Sequence, residues 1–449
     1  MASTTTTRTS IDNALKIIYS GPLHDQVISD SELLSLFETE MNVQTEQTTG
    51  GRYIEMGHFF ALPAGVGARA ENEYLPETDD PVFKNSRAYL RKIMGTVEMT
   101  GDTMDRVRDD EGAFLDYADR ALPALAQRVT NELDRMAIGT GKGIKARVGA
   151  RSATGSATVT VTLTAACGVT GLTQGWLQFL DGERCIFSAN ADGSSPRNSG
   201  GIRSGKVTDI VETADQVVFT FGSVALADTI AQNDYIFSGD EAGASNVDAG
   251  GQNREIQGLL AAVDDGGIVD TYLNLQRTGA GNRLWKSVMV DASAAPFNGS
   301  MSEDLLTYAD DQGYVMGMSK VSALVMSRSA NRGYWKTLKG DRFMMDPRGQ
   351  YQGGKSTGGL SIILGDRTLQ LRVARKLPPE LAFGLSPETF KRLSLGQWRW
   401  DDSTGSIWNR VTDATGRKHA FYASGYLYEE LITTAPRKNW RINNLAVVQ

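Results

Sequence analysis

Alternation is the clearest signal along the chain. Thr158-Val159-Thr160-Val161-Thr162-Leu163-Thr164 sends every aliphatic side chain to one side and every threonine to the other, as in a half-buried strand. Further strands are predicted over 176–180, 184–188, 206–212, 216–221 and 235–238, with turn pairs Asp181-Gly182, Asp192-Gly193 and Gly200-Gly201 between them. Short strands so punctuated predict a small barrel or sandwich. Helical patterns flank it on both sides, so 150–247 reads as an all-β domain inserted into a larger α+β fold, left through the Gly- and Ala-rich stretch 239–251.

A second period governs 111–138. Phe114, Ala118, Leu122, Leu125, Val129, Leu133 and Met136 recur at steps of four and three, which lines one face of a helix. Pro123 is expected to kink this helix or to mark its start after a short first segment. Gly139-Thr140-Gly141 ends it. Residues 1–49 read as an arm with two short helices, 11–19 and 32–41, the second capped from Ser29, Asp30 or Ser31.

Between arm and long helix, 50–105 predicts an extended hairpin. Its outgoing strand is Arg52-Tyr53-Ile54-Glu55-Met56 and His58-Phe59-Phe60-Ala61-Leu62, and its return is 91–99. The tip holds Gly65, Gly67, Pro76 and Pro81, with Glu71, Glu73, Asp79 and Asp80. Ten residues of strand reach roughly 30 Å. A lone ribbon is marginal in water, so this one either lies on its own domain as an ordinary hairpin or, with nothing of its own to bury against, calls for a neighbouring surface.

Beyond 254 the chain returns to mixed α/β. Helices are expected over 255–263, 302–309 and 331–338, and strands over 321–326, 360–364 and 368–373. A closing strand pair is expected from 420–434 and 440–445.

Composition narrows the class. The chain has 449 residues, 41% hydrophobic and 22% charged, enough for two or three cores of ordinary globular texture. No run of eighteen apolar residues appears, and the opening Met1-Ala2-Ser3-Thr4 has no apolar signal core, so neither a membrane span nor secretion through a signal peptide is expected. Cys167 and Cys185 are the only cysteines, which argues against a disulfide scaffold and fits synthesis in a reducing cytoplasm. A net charge of −7 argues against a protein built to grip nucleic acid, though not against one that encloses it.

Candidate chemistry fails on context. Gly349-Gln350-Tyr351-Gln352-Gly353-Gly354-Lys355-Ser356 fits a phosphate-binding loop, but glycine and β-branched residues follow it where a helix is required. Gly354-Lys355-Ser356-Thr357-Gly358 fits a nucleophile elbow, and its base would have to be His24, His58 or His419. A glycine-rich surface loop accounts for both. Asp264-Asp265 and Asp310-Asp311 read as solvated helix ends, and the cysteines lack zinc-ligand spacing. Trp398, Trp400 and Trp408 read as packing. No catalytic, cofactor-binding or metal-binding residue is assigned, and no enzyme is expected.

The order of parts resembles the major capsid protein of tailed bacteriophages, the Hong Kong 97 fold. The resemblance is carried by the extension at 50–105, the helix from Glu111 to Ile138 ended by Gly139-Thr140-Gly141, Ile256-Gln257-Gly258-Leu259-Leu260, Leu284-Trp285-Lys286-Ser287-Val288, the unit from Asp304 to Ser327, and the segment ending in Pro436 and Ile442-Asn443-Asn444-Leu445. It implies an N-terminal arm (1–49), an E-loop hairpin lying over an adjacent subunit (50–105), and a peripheral domain with its spine helix (106–149). An inserted β domain (150–247), an axial domain meeting its symmetry mates (248–375), and a return to the peripheral domain (376–449) complete it. The implied function is self-assembly, as hexamers and pentamers, into an icosahedral virion shell enclosing double-stranded DNA. Implied partners are a separate scaffolding protein, a portal protein and a decoration protein. Lys84 and Lys92 lie where some relatives cross-link, but no bond is predicted. An encapsulin-like cargo shell, or a decoration or receptor-binding protein acting through 150–247, are the competing readings.

Overall fold

The computed structural model describes residues 33–37, 39–41, 53–61, 65–69, 71, 74, 80–100, 111–152, 154–201, 203–239, 254–338, 361–364, 367–396, 398–402, 407–413 and 416–447. The expected helix at 11–19 and the glycine-rich loop at 349–356 lie outside these residues.

The body is organised around one long strand, Gly416–Thr433. It pairs antiparallel with Phe390–Ser394, Arg399–Trp400, Trp408–Asp413 and Arg91–Thr100. The last pairing corrects the sequence reading, which made 91–99 the return strand of the hairpin. Its register runs from Arg91↔Glu429 to Thr100↔Ala420. Alternation marks a half-buried strand without naming its partner. Here Ile93, buried, and Val97, half-buried, belong to the body core. At the crossing Gly95↔Gly425 both residues lack a side chain, and the Trp398 indole fills the gap. A Cβ at Gly425 would overlap that ring.

Helix α1, Glu111–Ile138, packs on this sheet with Ala126, Val129, Leu133 and Ala137 buried. It is continuous through Pro123, so the helix does not start anew there, one of the two outcomes expected of this proline. Proline removes one ladder bond, and the buried downstream half outweighs that loss. Gly139 N–H closes the helix on the carbonyls of Arg135 and Met136. The helix expected at 32–41 is instead a single turn, Leu34–Leu36, followed by the strand Thr39–Met41 along the edge of Phe390–Ser394. The open strand edge supplies hydrogen bonds that a short, isolated helix would have to find within itself.

A second six-stranded sheet has the order Val288–Asp291, Trp440–Asn443, Ala382–Leu385, Ala323–Met326, Arg367–Val373, Ser361–Leu364. Trp440–Asn443 therefore belongs to this sheet and does not pair with 420–434 as expected. Val325, Phe383 and Leu385 face the main core, while Leu324, Met326, Leu371, Trp440 and Ile442 face a second core under helices α2, Glu303–Gly317, and α3, Arg328–Leu338. A strand buried on both faces shows continuous apolar residues rather than alternation, which is how 323–326 reads. The helix expected over 255–263 shrinks to Leu259–Ala262.

The insertion is a closed barrel of Tyr235–Ser238, Ile144–Arg151, Thr158–Thr164, Gln216–Phe221, Ser204–Val211 and Arg184–Ser188, in that order. Its first strand starts at Ile144, ahead of the boundary drawn at 150. Alternation there is hidden because Ile144, Lys145 and Ala146 are all buried. Residues 176–180, expected as strand, form the short helix Gly175–Gln178 instead. Val159, Val161, Leu163, Val217, Phe219 and Phe221 fill the interior.

Candidate assembly surfaces

The hairpin pairs Ile54–Ala61 with Val82–Ala88, forming a two-stranded sheet apart from the others. Cross-strand partners sort its faces. Ile54↔Ala88, Met56↔Ser86 and His58↔Lys84 point one way; Glu55↔Arg87, Gly57↔Asn85 and Phe59↔Phe83 point the other.

The inner face has a seat on this chain's own body, as the ordinary-hairpin alternative expects. His58 lies 4.7 Å from the Trp285 ring and Phe60 6.1 Å from it, centroid to centroid. Arg87 N–H donates to the Leu273 carbonyl at 2.9 Å, and Lys84 Nζ donates to Asn282 Oδ1. Burial lowers the His58 pKa, and its Nε2 is 2.7 Å from Ser86 Oγ.

The seat is rigid because buried polar groups hold it. Arg277, fully buried, donates to the carbonyls of Trp285, Val269 and Ala262 at 3.2, 2.9 and 2.9 Å. Asp264 accepts from the N–H groups of Gly266, Ile268 and Val269 and pairs with Arg441 at 3.1 Å. Asp264, expected to be solvated, is thus buried; only Asp265 is exposed. Asp310 is buried too, and Asp311 exposed.

The outer face stays open. Phe59 and Phe83 stack edge to face at 4.8 Å, yet are 46% and 64% exposed, with Val82 exposed beside them. Sequence reasoning missed Val82 and Phe83 because Pro81 and the preceding acids made this stretch look like a tip. No alternation marks the strand either, since Lys84-Asn85-Ser86-Arg87 is polar at every position.

A second open apolar surface lies at the end of α2. Ser302 caps the start, its hydroxyl accepting from Leu305 N–H at 3.2 Å. The end presents Tyr314, Val315, Met316 and Met318, with Val315 and Met318 79% and 78% exposed. Met318 adopts left-handed φ of 48° where glycine is usual. Arg437 donates to the Met316 carbonyl at 3.0 Å and fixes this tip against the body.

The barrel is clamped at its root by buried charge. Lys145 pairs with Glu183 and, at 3.3 Å, with Glu132 of α1. Burial opposes the Lys145 cation, but Glu132 and Glu183 more than offset this and raise its pKa. Glu132 suffers the same burial, and Lys145, Arg135 and Lys376 nonetheless hold its carboxyl well below the usual range. Arg135 joins Glu255, Lys376 Nζ donates to the Asn131 carbonyl at 2.9 Å, and the Glu380 carboxylate accepts from Thr173. Every member has a partner, so the barrel is fixed to the body rather than tethered.

The sequence candidates for chemistry are dispersed. His58 is on the hairpin and His419 on the long strand, while His24 and Lys355-Ser356 lie outside the described residues. Cys167 and Cys185 are buried free thiols, Cys167 pushed by burial up to about 12. Trp398 and Trp400 stack edge to face at 5.8 Å, and Trp408 is buried with them in the main core. Lys92 lies over the Tyr426 ring at 4.8 Å. Among the described residues no group of His, Cys, Asp and Glu could hold a metal, and no helix is long and apolar enough to cross a membrane.

No known family profile and no curated protein matches the sequence. Solved structures do match, over nearly the whole chain. The capsid of cyanophage A-1(L) covers 93% of this chain and 93% of its own at 10% identity, with a TM-score of 0.47. The capsid of the Myoviridae phage XM1 covers 92% of each at 6% identity and 0.41. An encapsulin complex from Synechococcus elongatus PCC 7942 covers 94% of this chain and 90% of its own at 9% identity and 0.36.

Proposed function

We propose that this chain is a shell-forming structural protein, the major capsid protein of a tailed bacteriophage, which self-assembles into an icosahedral head around double-stranded DNA. The observation that carries this reading is the two-faced hairpin, seated inside and open outside. An exposed Phe59–Phe83 pair on a free two-stranded ribbon is the kind of apolar surface that marks an interaction site. Rings of identical subunits use heterologous contacts, in which two different patches of one chain meet. The hairpin and the α2 tip are two such patches.

In this reading 54–88 acts as the E-loop over a neighbour, α1 as the spine, 248–375 as the axial domain, and the clamped barrel as an outward insertion. A scaffolding protein, a portal and a decoration protein are the further partners. Negative-stain microscopy of the chain, alone and with its genomic neighbours co-expressed, tests the proposal. Hexameric and pentameric rings or uniform shells are expected; a strictly monomeric protein at high concentration would sink it. An encapsulin-like shell shares these surfaces, and particle contents separate the two: DNA for a phage head, a captured enzyme for an encapsulin.

A further inference from the structure

Helix α3 carries Arg328, Arg332 and Lys336 at steps of four, all exposed, while Ala330 and Tyr334 on its other side are buried. A rise of ~1.5 Å per residue spaces the cations by about 6 Å along a straight rod. Among the described residues the ion pairs all lie elsewhere. Arg375 is exposed at the same end of the sheet as the start of α3, since Ala374 N–H donates to the Met326 carbonyl at 3.0 Å.

This row works against the helix that bears it. Like charges four apart repel by about 0.2–0.5 kcal/mol per pair. Arg328 sits in the first turn, where the helix dipole favours acids, and no acid is present there. A local rule broken without compensation among the described residues points to a use outside the fold. The contrast is sharper because the chain as a whole carries −7.

We propose that this row contacts the phosphate backbone of the nucleic acid inside the shell, an inference that rests on the capsid reading above. Even spacing of like charges suits a linear polyanion, which offers a charge per ~1.7 Å of duplex axis and so fits in any register. An acidic protein patch would need carboxylates set to match. Three phosphate contacts make a weak, sequence-independent attachment, which holds DNA near the wall without arresting it during packaging.

The test is fluorescence anisotropy of the full chain with a short duplex of arbitrary sequence across a salt series. Each neutralised phosphate contributes about −0.9 to the slope of log affinity against log salt, so the row supplies about −2.7. The R328Q/R332Q/K336Q variant should lose that share, and the charge-preserving R328K/R332K/K336R variant should keep it. An unchanged slope in the glutamine variant overturns the proposal. So does self-association of the chain that the glutamine variant alone abolishes, which would assign the row to an acidic protein surface. Particle formation is scored separately by microscopy. Shells with no row-dependent slope refute this inference alone; a row-dependent slope without shells supports the nucleic-acid contact and refutes the shell reading.

Discussion

The hairpin and the barrel are both built from short antiparallel strands, and they solve the problem of strand edges in opposite ways. The barrel closes on itself, Tyr235–Ser238 pairing with both Ile144–Arg151 and Arg184–Ser188, so no edge remains. Its apolar residues face inward and its root is locked by Lys145, Glu132 and Glu183. The hairpin stops at two strands, buries one face on Trp285, and leaves Phe59 and Phe83 in solvent. A closed sheet is complete within one chain, whereas an open ribbon is completed by something else. One chain thus carries a finished module beside an unfinished one.

The sharpest way to break the finished module is to remove its buried cation. Lys145→Ala leaves Glu183 without its cation in the interior, while Glu132 keeps Arg135, and should cost about 3–5 kcal/mol of stability by chemical denaturation. A loss below about 1 kcal/mol would mean that the clamp is solvated and the barrel merely tethered. Gly425→Ala comes next. The new methyl displaces the Trp398 indole from the body sheet, and strain of about 1–3 kcal/mol should appear as a lowered Tm.

A pH effect is smaller and has a definite sign. Glu430 is buried in the body sheet beside Arg91, 3.5 Å away, and burial raises its carboxyl from 4.5 to about 8. The folded state then holds a proton that the unfolded chain releases, so its contribution is full below 4.5 and is lost as pH rises toward 8. Glu430→Gln should flatten stability across that window while leaving it unchanged at low pH. An unaltered pH profile in the glutamine variant would show that Glu430 is ionised in the fold.

The hairpin should show the smallest change in stability. Phe59→Asp with Phe83→Asp removes nothing from the core, so the Tm of the unassembled chain should move little, within about 0.5 kcal/mol. Sedimentation should nevertheless show the loss of rings and shells. A variant that assembles as well as the parent would assign the neighbour contact elsewhere.

Part of this architecture is legible in the sequence. The α1 stripe and the 158–164 alternation can be read directly because each follows a single period over many residues. Partners cannot be read: 91–100 alternates in a way that suits the hairpin or the body sheet equally well. Buried charge is also hidden, since Lys145 and Asp264 look solvated until the ionic partners Glu132 and Arg441 arrive from 13 and 177 residues away. Val82-Phe83 is masked by the proline that precedes it. Local periodicity reveals elements, while pairing, burial of ions and the free face of a ribbon are set by parts distant in sequence.

Hydrogen exchange on dilute chain and on assembled particles tests the central claim most directly. Barrel amides should be equally protected in both, whereas those of Ile54–Ala61 and Val82–Ala88 should gain protection only on assembly. Hairpin amides already as slow as the barrel's in the isolated chain, and unchanged in the particle, would contradict the account.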